Sequence, residues 1–220
     1  LPTETEEDQK GIAHLAEQIA RRYYEIPKDQ RNGKCQITVS TSFFVPKPFT
    51  PFQWARMCTK EEFLEKAHVV NTEIKAQLNR KSIKYNWHEA DLTVLEGIFA
   101  RGDRRVAKAL RLAYEKGCLF DSWTEHFKND LWEEAFDEAG IDPSFYTTRQ
   151  RKSDELFPWD FIDIGVTKKF LLREWERAHE EVVTPNCRTQ CQGCGAARYQ
   201  TGVCPGAGSR ESVQEGGMQA

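Results

Sequence analysis

The chain has 220 residues, of which 39% are hydrophobic, 11% aromatic and 30% charged, and its formal net charge is -3 at pH 7. Such a composition builds the core of one large domain or two small ones and excludes a disordered chain. The near-balanced charge gives no general pull towards nucleic acid or lipid, no run of ~18 apolar residues is present to span a membrane, and no signal peptide is expected from the first residues. Only a local basic patch is foreseen, around Arg101, Arg104, Arg105, Lys108 and Arg111. The chain opens on Leu1, and a natural N-terminus upstream of it is expected.

The first predicted element is a helix over 6–25, capped by Thr5 with Asp8 three residues on. Ile12, Leu15, Ile19 and Tyr23 recur at helical spacing and predict its apolar face. A turn-rich loop follows over 27–34. Residues 36–45 read as a strand, with Ile37, Val39, Thr41, Phe43 and Val45 on one face. Gln36, Thr38, Ser40 and Ser42 share the other. A polar face on so β-branched a strand points to a ligand cavity or a barrel interior; an edge strand with one wet face is the alternative. Pro46, Pro48 and Pro51 then impose an extended loop.

Thr59 and Glu62 form a second capping box and open a helix over 60–80, with Phe63, Ala67, Val70, Ile74 and Leu78 as its apolar positions. Alternation of Ile83, Tyr85 and Trp87 predicts a strand at 82–88. Helices follow at 91–101, 103–117 and 127–139, with Asp91 and Asp103 as N-caps and Gly117 and Gly140 as stops. Asp142-Pro143 begins an irregular segment reaching Gly165, and Thr167 caps a last helix to Glu180. Residues 205–220 are rich in Gly, Ser and Gln and read as disordered. The sum is an α/β chain whose two strands and one covering helix cannot close a sheet, so an N-terminal partner is implied.

Seven cysteines are present. Cys35, Cys58 and Cys118 are scattered, whereas Cys187, Cys191, Cys194 and Cys204 are clustered. A secreted disulfide framework spreads its cysteines more evenly, so the cluster points to a metal site in an intracellular chain. Gly193 and Gly195 let the backbone wrap closely and offer N–H groups to sulfur, which suits an iron-sulfur cluster. Cys204-Pro205 is also in keeping with ferredoxin ligand runs. Zinc is the rival, although structural zinc favours two close pairs of ligands and only Cys191 and Cys194 form one.

Several stretches, in order, resemble the radical S-adenosylmethionine (SAM) family. Leu1-Pro2-Thr3-Glu4-Thr5, followed by acidic helix-opening residues, is similar to the end of the fifth barrel strand, although the family's glycine would precede Leu1. Thr38 to Trp54 resembles the sixth strand and its exit loop, with Thr50-Pro51 at the loop's close. The run Phe44-Val45-Pro46-Lys47-Pro48, then Thr50-Pro51-Phe52-Gln53-Trp54, is similar to a signature of an uncharacterised subgroup that often carries a cobalamin-binding-like N-terminal region. Leu95-Glu96-Gly97, Arg101 to Arg105, Trp123 to Phe127 and Pro158 to Asp163 continue the resemblance, which covers the chain to about residue 195.

The resemblance implies a methylthiotransferase-like partial (β/α) barrel, here its C-terminal part over 1–80. A mainly helical extension would follow over 81–183, then a Cys-rich metal segment at 184–205 and a disordered tail at 206–220. It implies a cytoplasmic enzyme using SAM and a [4Fe-4S] cluster, with cobalamin admitted in the full-length protein and RNA or a small molecule as substrate. Glu4, Thr5, Ser40 and Ser42 would contact SAM. The Cys-x3-Cys-x2-Cys that binds the catalytic cluster belongs near the first barrel strand. Cys187-x3-Cys191-x2-Cys194 has that spacing at the other end of the fold and reads as an auxiliary site with Cys204. The chain alone is expected to be inactive. A non-enzymatic zinc-binding interaction module, docking a partner or RNA, is the competing function.

Other side chains are weighed more evenly. His88 and His126 suit acid–base roles or ordinary structural ones. Asp103, Arg104 and Arg105 suit an anion grip or a helix cap. Trp159, Asp160 and Asp163 lie in a loop where a binding role is credible. Phe49, Phe52 and Trp54 beside Lys47 suit base stacking or packing.

Overall fold

The computed structural model describes residues 1–199 and 204. Seven α-helices and two strands are described: α1 (Glu6–Glu25), β1 (Ile37–Thr41), α2 (Lys60–Ala76), β2 (Ile83–Trp87), α3 (Ala90–Arg101), α4 (Val106–Glu115), α5 (Asn129–Ala139), α6 (Pro143–Tyr146) and α7 (Lys168–His179). The architecture is mixed helix and sheet. The chain divides into two compact units, one of residues 1–46 and 55–151, the other of 47–54 and 152–220. Among the described residues no helix is long and apolar enough to cross a membrane. The tail beyond residue 204, expected to be disordered, lies outside the described residues.

In the first unit β1 and β2 pair in parallel, from Ile37 opposite Ile83 to Thr41 opposite Trp87, with α2 in the connection between them. A parallel pair needs such a crossover, because the end of the first strand and the start of the second lie at opposite ends of the ladder. The expected strand over 36–45 is shorter than its pattern. Its partner gives way to α3 just after Trp87, so Ser42 to Val45 have no ladder to join.

Both capping boxes form. Thr5 Oγ1 accepts from Asp8 N at 3.2 Å and Asp8 Oδ2 accepts from Thr5 N at 2.8 Å. Thr59 and Glu62 reciprocate in the same way. Glu62 also takes a two-pronged bond from Arg56, 2.8 Å on each prong. That guanidinium, then the Thr59 N–H, holds the Glu62 carboxyl down to about 2 from an ordinary 4.5. A carboxylate with a depressed folded-state value stabilises the fold fully above its unfolded value and loses that contribution as pH falls. Between about pH 4.5 and 2, therefore, wild-type stability should drop more steeply than that of Glu62→Gln in urea titrations. Both partners are well exposed, so the difference should stay within about 1 kcal/mol.

The buried face of α1 is not the expected one. Gln9, Ala13, Ala16, Glu17 and Ala20 are buried, while Leu15 and Ile19 are 59% and 51% exposed. Ala13 and Ala16 pack with Val70, Ile74 and Ile83, and the small side chains let α1 approach α2 and the sheet closely. Helix α2 ends at Ala76 and not at residue 80, leaving Leu78 85% exposed. Glu17 of α1 accepts from Asn79 N at 3.0 Å and from Asn79 Nδ2 at 2.7 Å, which draws the chain out of the helix. The buried carboxylate is satisfied by the same contact.

Helix α3 starts at Ala90 behind Glu89, because the expected cap Asp91 instead pairs with Lys60 at 2.6 Å. Asp103 turns back to Arg105, and α4 begins only at Val106. Gly117 and Gly140 do stop helices, at φ of +93° and +71° that favour glycine. The expected irregular segment after Asp142 contains α6, whose first turn Asp142 caps through Ser144 N. Leu95, Ile98, Ala109, Leu112, Trp132, Phe136 and Tyr146 fill the core of α3–α6. A further cluster of Val45, Met57, Phe63 and Ala90 holds the exit of β1.

The second unit is built on α7, capped by Thr167 as expected. Trp54, Phe157, Trp159 and Leu171 form its core. Buried Gln53 is its polar pin: its Oε1 accepts from Trp159 Nε1 at 2.8 Å and from Phe49 N at 3.3 Å.

Candidate functional site on the polar face of the sheet

Side chains along a strand alternate between faces. Ile37, Val39, Ile83 and Tyr85 pack with α1 and α2, and the Trp87 ring meets His68 of α2 edge-on at 6.3 Å. Tyr85 Oη and Thr41 Oγ1 share a hydrogen bond of 2.9 Å on that side. Both described helices that flank the sheet therefore lie against one face. The opposite positions, Thr38 and Ser40 on β1 with Lys84 and Asn86 on β2, are all exposed. Ser42 and His88, one residue past the ladder, are exposed too, and His88 N donates to Thr41 O at 3.3 Å. The register places Thr38 beside Lys84 and Ser40 beside Asn86.

Ser40 and Ser42 thus stand on one open polar surface, as their alternation in the sequence requires. Lys84 and Asn86 were not singled out, although the alternation with Ile83, Tyr85 and Trp87 marks them equally. Glu4 and Thr5 sit at the head of α1. Lys66 Nζ at 3.1 Å, Gln9 Nε2 at 3.4 Å and the Leu1 amine at 3.5 Å all meet the same Glu4 oxygen, Oε2. Among the described residues Glu4 shares no hydrogen bond with Ser40 or Ser42. Thr5 is committed to its cap, its Oγ1 donating to Asp8 Oδ2 at 2.7 Å.

The clustered cysteines lie in the second unit. Cys187 and Cys191 are exposed, Cys194 and Cys204 partly so, and none is in a disulfide. Their loop is tied to α7: Thr167 N donates to Cys194 O at 2.9 Å and Arg173 Nη2 to Gln192 O at 2.7 Å. Gly193 and Gly195 both take positive φ, +69° and +105°. A Cβ on Gly195 would stand 2.7 Å from Gly165 O. Among the described residues no three His, Cys, Asp or Glu side chains converge to hold a metal ion. Cys58 and Cys118 stand apart, and burial pushes both thiols up, as for inert structural cysteines.

The remaining candidates are mostly structural. Arg101, expected in a basic surface patch, is fully buried, and its carbonyl accepts from Arg151 at 3.1 Å. Asp103 is occupied by Arg105 and by Tyr146 Oη at 3.3 Å, and those partners lower its carboxyl, Arg105 first. Trp54 and Trp159 are buried packing residues, and Phe52 packs edge-on against Trp175 at 5.8 Å. Asp160 pairs with Lys168 and Asp163 with Arg198. His126 is exposed beside Phe120, their rings 6.1 Å apart.

Comparison with protein-family models, curated proteins and solved structures finds no match for the chain.

Proposed function

We propose that this chain is part of a radical SAM enzyme, that β1 belongs to its partial barrel, and that β2, paired with β1 in parallel, carries the barrel sheet past the expected boundary at residue 80. One observation carries this: among the described residues the parallel sheet is covered by helices on one face, and its other face is polar. Parallel sheets in doubly wound folds are covered on both faces and are apolar throughout. A barrel puts its helices outside and turns the second face inward, where polar side chains serve a bound ligand. The motif order described above agrees with that placement.

In this proposal Ser40 and Ser42 donate to and accept from polar atoms of SAM. Glu4 would use Oε1 to accept an N–H of the cofactor while Lys66 and Gln9 fix Oε2, and Thr5 would hold the head of α1 in place. The [4Fe-4S] cluster of such an enzyme, held by residues other than these, would supply the reducing electron for SAM cleavage and hydrogen abstraction, while Ser40, Ser42 and Glu4 would position SAM. Cys187, Cys191, Cys194 and Cys204 would take up an auxiliary iron-sulfur cluster. Their loop would have to gather around the metal on binding, as ligand convergence and metal binding are coupled.

The test is SAM affinity, measured calorimetrically on the natural protein that contains this chain. Ser40→Val and Ser42→Val suit a strand and remove one hydroxyl each, and each should weaken binding about tenfold. Unchanged affinity in the double variant would contradict the placement.

A further inference from the structure

The outward positions of the two strands form three rungs. Thr38 stands beside Lys84 and Ser40 beside Asn86, and Ser42 and His88 follow at the carboxyl end. Rungs are about 6–7 Å apart along the strands, and the strands about 4.8 Å apart across them. Gln36 continues the face below. The three rungs therefore carry an ammonium, an imidazole, a carboxamide and three hydroxyls, and no Asp or Glu occupies an outward position of either strand. Among the described residues none of the six side chains has a hydrogen-bond or ion-pair partner. This contrasts with α2 and the loop that leads into it, where Lys60, Lys66 and Arg56 are each paired with a carboxylate.

From this arrangement we infer that β2 supplies an anion-binding strip, with Lys84 as its cation and Asn86 and Ser40 as neutral donors. It takes a carboxylate or phosphate group of the bound ligand. An ammonium without a carboxylate neighbour is free to make a charge-assisted bond to an incoming oxyanion. The flexible Lys84 stem lets the charge reach a ligand oxygen over the exposed face of the sheet. His88 stands at the carboxyl end of β2, where ligands of parallel sheets enter, and a ring N–H there can donate to a ligand oxygen. The inference rests on the proposal that this face is the ligand side of the sheet. It goes beyond that proposal by assigning the second strand and the charge of the group it holds.

The experiment is a titration of the ¹⁵N-labelled chain with inorganic phosphate, with acetate and with SAM, against chloride at matched ionic strength. Amide shifts are followed at Ser40 and at residues 84–88. Phosphate or acetate should shift these amides saturably where chloride does not, and the stronger of the two identifies the ligand group. Lys84→Gln should weaken that binding about tenfold, and Lys84→Arg should retain most of it. Spectra unchanged elsewhere will show that the variants fold. Absent shifts, or equal binding by Lys84→Gln, would overturn the inference. If SAM binding depends on Ser40 while phosphate and acetate do nothing, the anion strip is wrong and the SAM placement stands. If phosphate or acetate binds through Lys84 while the natural protein containing this chain does not bind SAM, the SAM placement fails and the anion strip stands. A SAM response lost in Lys84→Gln identifies the cofactor's own carboxylate as the anion.

Discussion

Phe63→Ala should remove about 3–5 kcal/mol from the stability of the first unit, a substantial share of the 5–15 kcal/mol typical of a domain. Phe63 is 1% exposed on the first turn of α2. Its ring stacks on Phe43 with centroids 4.5 Å apart, and it packs with Val45, Met57 and Ala90. Those partners come from the exit of β1, the approach to α2 and the start of α3. Truncation therefore leaves a cavity where three segments meet, and collapse of any one is restrained by the other two. Urea unfolding should show a lower midpoint with an unchanged slope. A loss below ~1 kcal/mol would mean that this cluster does not fix the carboxyl end of β1.

Gly195→Ala should have the second large effect, and a local one. At φ of +105° an L-residue is strained, and the added methyl would sit 2.7 Å from Gly165 O and 2.9 Å from Thr167 Cγ2. Strain of about 1–3 kcal/mol and overlap of about 1–3 kcal/mol act together, and the nearest obstacle is backbone, which yields least. The contact that gives way is the one between the cysteine-bearing loop and the start of α7, including the bond from Thr167 N to Cys194 O. Hydrogen exchange at the Thr167 amide should accelerate by ten-fold or more while amides of α4 and α5 keep their protection. In protein reconstituted anaerobically with iron and sulfide, Gly195→Ala should also take up less iron, because Cys194 is no longer held. Unchanged exchange at Thr167 would sink this account of the loop.

Much of the local structure is legible because its causes are local. The Thr5–Asp8 and Thr59–Glu62 boxes and the Gly117 and Gly140 stops each depend on residues within one turn of one another. The errors come from distance. Nothing near Gln77 announces the end of α2, since Glu17 and Asn79, 62 residues apart, set it. Hydropathy chose Leu15 and Ile19 for the face of α1, but close helix packing selected Ala13, Ala16 and Ala20. Arg101 looked like part of a surface patch and is buried. On the sheet, alternation puts Ser40 and Ser42 on one polar face, and only the structure shows that face to be exposed. The alternation of Ile83, Tyr85 and Trp87 leaves Lys84 and Asn86 on the same face of their own strand, yet their place beside Thr38 and Ser40 depends on the parallel register, which only the fold supplies. The cysteine spacing is plain in the sequence, whereas the geometry of four ligands on a loop depends on the metal itself.

The central proposal is tested most directly by assaying 5′-deoxyadenosine. The natural protein containing this chain would be reconstituted anaerobically with iron and sulfide, then given SAM and a strong reductant. Production of 5′-deoxyadenosine that is reduced in the Ser40→Val/Ser42→Val variant is the predicted result. A protein that takes up stoichiometric zinc and no iron, and returns SAM intact, would contradict it.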